Sequence, residues 1–209
     1  MIYEMRTYEL KPRTLPEVLR RFGEAYEKRK AFSELFAFWY SEIGTLNQIV
    51  HVWPYQDIEE RNRIRAAAVK AGVWPPKTAE FFVSMRTDIM IPWGDVPPAK
   101  PGRVGPYFEM RTYTYQAGDL PKIQANWTKA LSRRLEFSPL LALWYSEIGE
   151  LNTFVHIWPY ASLDQRMDVR RRATESGHWP PPRGEGDGAY SLLRQETKIL
   201  LAAPFSPLQ

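Results

Sequence analysis

Hydrophobic and polar positions follow a fixed succession of periods along the chain. From residue 2 to 10 apolar and polar side chains alternate, with aromatic and β-branched types prominent, which predicts a strand. Thr14-Leu15-Pro16-Glu17 then combines a capping box with proline in the first turn. Leu15, Val18, Leu19, Phe22, Ala25 and Tyr26 follow at helical spacing and form one apolar stripe. Residues 36–43 and 46–53 read as two strands meeting at Gly44-Thr45, a hairpin. Asp57 opens a second helix, Gly72 stands where it should end, and a last strand covers about 79–91.

The same succession then recurs. Glu4-Met5-Arg6-Thr7-Tyr8 returns as Glu109-Met110-Arg111-Thr112-Tyr113, an offset of 109 − 4 = 105. That offset carries Trp39-Tyr40-Ser41-Glu42-Ile43-Gly44 onto Trp144-Tyr145-Ser146-Glu147-Ile148-Gly149, and Trp74-Pro75-Pro76 onto Trp179-Pro180-Pro181. Asp119 caps a stripe of Leu120, Ile123, Trp127, Ala130 and Leu131; Ser162 caps the next helix, Gly177 ends it, and a strand covers about 189–201. A repeat this long is a duplicated domain and not a solenoid module. The register breaks at Arg183-Gly184-Glu185-Gly186-Asp187-Gly188, which adds a loop to the second copy. Pro92 to Gly102 is rich in Pro and Gly and reads as a semi-stiff linker. The expected organisation is a first unit at 1–92, a linker at 93–105 and a second unit at 106–209.

The order βαββαβ is that of a ferredoxin-like unit, whose antiparallel sheet carries both helices on one face. The fold class expected is α+β, with the bare faces of the two sheets packing together into a barrel within one chain. Alternation sorts Glu4, Arg6, Tyr8, Phe38, Tyr40, Glu42, Asn47, His51 and Trp53 onto one face, and Ala37, Trp39, Ser41, Val50 and Val52 onto the other. The second set is the more apolar, so it is expected beneath the helices, and the first between the sheets. Equivalent positions in the second copy are Glu109, Arg111, Tyr113, Tyr145, Glu147, Asn152, His156 and Trp158. Two readings of the polar set stand. Glu4, Arg6 and Glu42 form internal ion pairs around a satisfied core histidine, or the set lines a pocket with a few convergent polar groups. In the second reading Glu42/Glu147 and His51/His156 supply acid–base groups, and the remaining residues bind substrate.

Composition narrows the chemistry. The 209 residues are 44% hydrophobic and 25% charged, as in globular proteins. With no cysteine, thiolate catalysis, disulfides and cysteine-ligated metals are excluded. No His/Asp/Glu triad stands at metal-ligand spacing, and no phosphate loop, nucleophile elbow or dinucleotide fingerprint occurs. No metal or cofactor is expected; haem through His51 or His156 has nothing to select it. The net charge of +4 concentrates in Arg61/Arg63/Arg65 and Arg166/Arg170/Arg171/Arg172, read as solvated helix faces and not as a nucleic-acid footprint. No apolar run spans a bilayer and the N-terminus has no signal-peptide pattern, so the expectation is a cytoplasmic protein without membrane or nucleic-acid partners.

These residues resemble the NIPSNAP family: an opening Glu4…Arg6-Thr7-Tyr8 strand, a hairpin from Trp39 to Asn47, then Val50-His51-Val52-Trp53-Pro54-Tyr55 and an arginine-rich helix, all repeated 105 residues later. The resemblance implies the dimeric α+β-barrel superfamily, whose members include cofactor-free monooxygenases of quinone-like substrates, haem enzymes and small stress proteins. Fold alone does not choose among them. The function expected is binding of a small apolar or aromatic, quinone-like molecule between the sheets, with acid–base or cofactor-free oxygenase-type chemistry left open. The alternative is a non-enzymatic scaffold or protein-interaction module. The chain carries its own partner as an internal pseudo-dimer, and edge strands of an open-sided barrel invite further homo-oligomers.

Overall fold

A computed structural model describes all residues except 95, 97, 98, 183, 185, 187 and 188. Asp95, Pro97 and Pro98 of the expected linker, and Arg183, Glu185, Asp187 and Gly188 of the expected loop, therefore lie outside the described residues.

The first unit comprises β1 (Ile2–Leu10), α1 (Leu15–Arg29), β2 (Ala37–Ile43), β3 (Gln48–Tyr55), α2 (Ile58–Lys70) and β4 (Phe82–Pro92). The second comprises β5 (Tyr107–Tyr115), α3 (Leu120–Leu135), β6 (Ala142–Ile148), β7 (Thr153–Tyr160), α4 (Leu163–Glu175) and β8 (Leu192–Ala202). Asp57 and Ser162 cap α2 and α4 by accepting the N–H of Glu60 (2.8 Å) and Gln165 (3.0 Å). Thr14 and Asp119 do not cap in that way. The Thr14 hydroxyl donates to the Lys11 carbonyl, and the Asp119 carboxylate accepts the Ser191 N–H at 2.8 Å, tying the start of α3 to the approach to β8.

The strands close a single antiparallel barrel in the order β1-β3-β2-β8-β5-β7-β6-β4. Phe38 lies opposite His51 and Tyr40 opposite Ile49, the register expected from the hairpin. The units are joined by hydrogen-bonded ladders, not merely stacked. The C-terminal end of β4 pairs with β6 over Ile89–Pro92, and that of β8 with β2 over Ile199–Ala202. Each strand thus has two neighbours, and the edge argument for further oligomers loses its basis.

The two faces are the reverse of those expected. Tyr3, Met5, Trp39, Val50 and Val52 point into the barrel, where they meet Phe108, Met110, Trp144, Val155 and Ile157 in one buried cluster. Tyr8, Phe38, Ile49 and Trp53 point outward, beneath Val18, Phe22 and Tyr26 of α1. The middle of the barrel offers no partner for an ion, so it takes uncharged aromatic, aliphatic and methionine side chains. The layer between sheet and helices is open along its rim, so it tolerates ionised groups that reach arginines on the helices.

A half-chain would expose the barrel-facing cluster. Each such side chain contributes roughly 1.5–3 kcal/mol when buried, so several together rival the whole stability of a small domain. Residues 1–95 alone should therefore not persist as a folded monomer, and neither should 103–209. Strand register makes Arg86 and Asp88 the counterparts of Glu196 and Lys198, so charge is inverted between the units. Mixing the halves should consequently favour a one-to-one complex over either homodimer. Sedimentation velocity checks this; a monomeric, cooperatively unfolding half from either end would contradict a shared core.

Candidate functional site

The site is built on the outward face of the sheet. Period-2 alternation places Glu109, Arg111 and Tyr113 of β5 on the face covered by α3 and α4, beside His156 and Trp158 of β7. Glu109 is fully buried, and its Oε1 accepts from Arg111 (2.9 Å), from Arg166 of α4 (2.5 Å) and from the Thr197 hydroxyl (3.2 Å). Arg111 Nε also donates to the Tyr113 hydroxyl at 2.6 Å. Arg170, one helical turn after Arg166, stands 3.7 Å from the same Oε1, while Glu109 Oε2 has no hydrogen-bond partner among the described residues. Burial alone would raise the Glu109 pKa. The Arg166 hydrogen bond and the charges of Arg111 and Arg170 outweigh it and hold the carboxyl below its ordinary value.

His156 is locked by its neighbour. The Trp158 indole N–H can only donate, and it does so to His156 Nδ1 at 2.5 Å. The ring proton of the neutral imidazole therefore sits on Nε2, a buried donor without a partner among the described residues. Burial, and then the charges of Arg111, Arg134 and Arg170, push the pKa of His156 well below its ordinary value. At neutral pH this histidine is a hydrogen-bond donor and not a base. Arg134 of α3 lies over the Trp158 ring, 4.0 Å from its centroid, and donates to the Tyr160 hydroxyl at 3.3 Å.

Glu109, Arg111, Tyr113, Arg134, His156, Trp158 and Arg170 line a cavity of about 500 Å³ with Trp127, Trp179 and Leu192. The first unit repeats the polar set: Arg6 donates to Glu4 (2.7 Å) and to Tyr8, Arg61 donates to Glu4, and Trp53 donates to His51 Nδ1 (2.7 Å). There the space is occupied differently. Phe82 packs on Tyr8 and Phe22 with centroids 5.1 and 6.5 Å apart, and Phe38 stacks on His51 at 5.2 Å. In the second unit Leu192 replaces Phe82, Leu143 replaces Phe38, and Thr174 replaces Val69.

The expected site residues thus separate. Glu109, Arg111, Tyr113, His156 and Trp158 converge on the cavity. Glu4, Arg6, Tyr8, Phe38, His51 and Trp53 form the filled counterpart. Tyr40 and Tyr145 are half-buried outside it, and Asn47 and Asn152 hold left-handed hairpin positions with φ of 55° and 54°. Glu42 and Glu147 are exposed. Glu42 lies four residues from Phe38, the partner of His51, so about 13 Å along the strand, and neither glutamate can serve a histidine. None of the expected residues lines the barrel interior. The arginine helices are not purely solvated faces either, since Arg61, Arg65, Arg166 and Arg170 turn inward to the buried glutamates. Their i, i+4 spacing was the available signal. Arg134, which the sequence pattern does not single out, continues the buried stripe of Ile123, Trp127 and Ala130. Among the described residues no group of three or more His, Asp or Glu could hold a metal ion.

Two matched ferredoxin-like units closing one α+β barrel define the structural class. A family model described as NIPSNAP matches residues 3–97 and again 108–207. The chain belongs to the NIPSNAP family. Human NipSnap homolog 3A is 28% identical over 225 residues, spanning 100% of this chain and 86% of that protein. Among solved structures, a monooxygenase-like protein of Fusobacterium nucleatum aligns over 97% of this chain and 92% of its own, at TM-score 0.61 and 13% identity. One of Lactobacillus acidophilus aligns over 98% and 97%, at TM-score 0.60 and 11% identity. At such identities the likeness is one of fold. No helix among the described residues is long and apolar enough to cross a membrane.

Both buried histidines give stability a pH dependence. Their folded pKa values lie below the unfolded value near 6.5, so the unfolded chain binds protons first as pH falls. Their contribution is fully present above about pH 6.5 and declines below it, by about 1.4 kcal/mol per pH unit for each histidine. Denaturant unfolding between pH 7 and 5 should show this slope, and His156→Gln should remove about half of it. An unchanged slope in the variant would contradict the assignment.

Proposed function

We propose that the helix-side cavity of the second unit binds a small aromatic anion, one carrying a hydroxyl group. The observation that carries the reading is the charge balance around the cavity. Arg111, Arg134 and Arg170 line it together with one carboxylate, Glu109, so the balance is 3 − 1 = +2. A volume of about 500 Å³ suits a two-ring ligand. Trp127, Trp158 and Trp179 offer the apolar walls, and the arginines and His156 Nε2–H offer donors to a carboxylate or similar oxyanion. Glu109 Oε2 offers the acceptor for a ligand hydroxyl. This is a binding site in which the histidine orients and does not abstract protons. An oxygenase-type reaction finds support only in fold-level likeness, which is weak warrant.

Titration calorimetry with 6-hydroxy-2-naphthoate tests the reading. One molecule should bind per chain, and Arg170→Gln should weaken it about tenfold, the worth of one charge-assisted hydrogen bond. The matching Arg65→Gln, in the unit whose space is filled, should leave binding unchanged. Binding that is absent, or equally sensitive to both variants, would overturn the assignment. In that event the runner-up, a non-enzymatic interaction module, would stand.

A further inference from the structure

The barrel has a second cavity, unrelated to the helix side. At the end where the two hairpins turn, about 340 Å³ opens between the inward faces of β1, β4, β5 and β8. Its floor is Met5, Met90 and Met110. Its walls carry charge, but most of that charge is spent. Arg86 pairs with Asp88 (2.9 Å) and Glu150 (3.3 Å), and Arg194 pairs with Glu150 and with Glu196 (3.1 Å). Lys198 is different. Among the described residues no carboxylate stands within ion-pair distance of it, and its Nζ donates to the neutral Gln48 side chain at 2.8 Å. It is the one lysine lining this cavity, and half-buried. Its counterpart across the pseudo-twofold is Asp88, so the duplicated units place one amine and one acid at the same mouth.

We propose that the barrel mouth is a carbonyl-binding site in which the Lys198 amine condenses with small neutral aldehydes or ketones. The free amine attacks the carbonyl carbon to give a carbinolamine. Loss of the former carbonyl oxygen as water, taking both amine protons, leaves the imine R₂C=N–Lys198. No oxidant or reductant enters this step. Wall charges of Arg86, Arg194 and Lys198 against Glu9, Asp88, Glu150 and Glu196 sum to 3 − 4 = −1, which disfavours anions and admits an uncharged carbonyl compound. Burial lowers the Lys198 pKa; Glu196 opposes this and Arg86 adds to it, so more of the amine is free at neutral pH than for a solvated lysine. The site is independent of the helix-side cavity, and failure of either leaves the other intact.

The full chain is incubated with butanal and cyanoborohydride at pH 7.5 to low conversion, and alkylated peptides are quantified by mass spectrometry. The other eight lysines serve as internal references. Lys198 should be alkylated at least about fivefold faster than their mean. That preference should vanish with an aldehyde borne on dextran, a polymer far larger than the cavity of about 340 Å³. Lys198 reacting no faster than the references would overturn the proposal. Equal preference for both aldehydes would too, since it would mark a reactive amine without a site.

Discussion

A carboxylate wholly withdrawn from solvent, Glu4 in one unit and Glu109 in the other, sets the terms for everything around it. An ion buried without partners costs several kcal/mol, and breaking such a pair leaves the other charge uncompensated. Arg6 or Arg111 from the same strand cannot meet that demand alone, so the second helix of each unit turns Arg61 or Arg166 inward. That contact fixes which face of the sheet the helices cover. Once the polar set lies under the helices, Tyr3, Met5, Trp39, Val50 and Val52 must face the barrel axis, and the two units close over them.

Much of the fold was legible. The 105-residue offset, the strand and helix periods and the Phe38/His51 register all appear in the structure. The orientation of the sheet was not, because a rule of thumb failed. Alternation assigns the more apolar face to the helices, as holds where helices present an apolar stripe. Here Arg29, Arg61 and Arg65 lie on the covering helices, and a ring-rich, arginine-lined layer suits Glu4 and His51 better than the middle of the barrel would. Glu109, Arg111, Tyr113, His156 and Trp158 do come together, but on the helix side of the sheet and not between the sheets. Glu42 and Glu147 differ from expectation for another reason: alternation shows which face a side chain takes, but not how far along the strand it lies from a partner.

Duplication leaves room for the two halves to differ in detail. Both keep the carboxylate, the arginines and the tryptophan–histidine hydrogen bond. At the cavity wall Leu192 stands where Phe82 packs on Tyr8 and Phe22 in the first unit. At the barrel mouth the same divergence appears as charge, with Asp88 opposite Lys198. One copy can thus hold the architecture while the other varies.

The clamp itself is most directly tested by Glu109→Gln, followed by equilibrium unfolding and amide hydrogen exchange on the same samples. With the charge removed and the arginines left facing each other, stability should fall by about 3–5 kcal/mol. Residues 163–175 of α4 should lose protection before the strands of the barrel do. A loss below about 1 kcal/mol, the range of a solvent-exposed pair, with α4 protection unchanged, would show that the buried carboxylate does not hold helix to sheet.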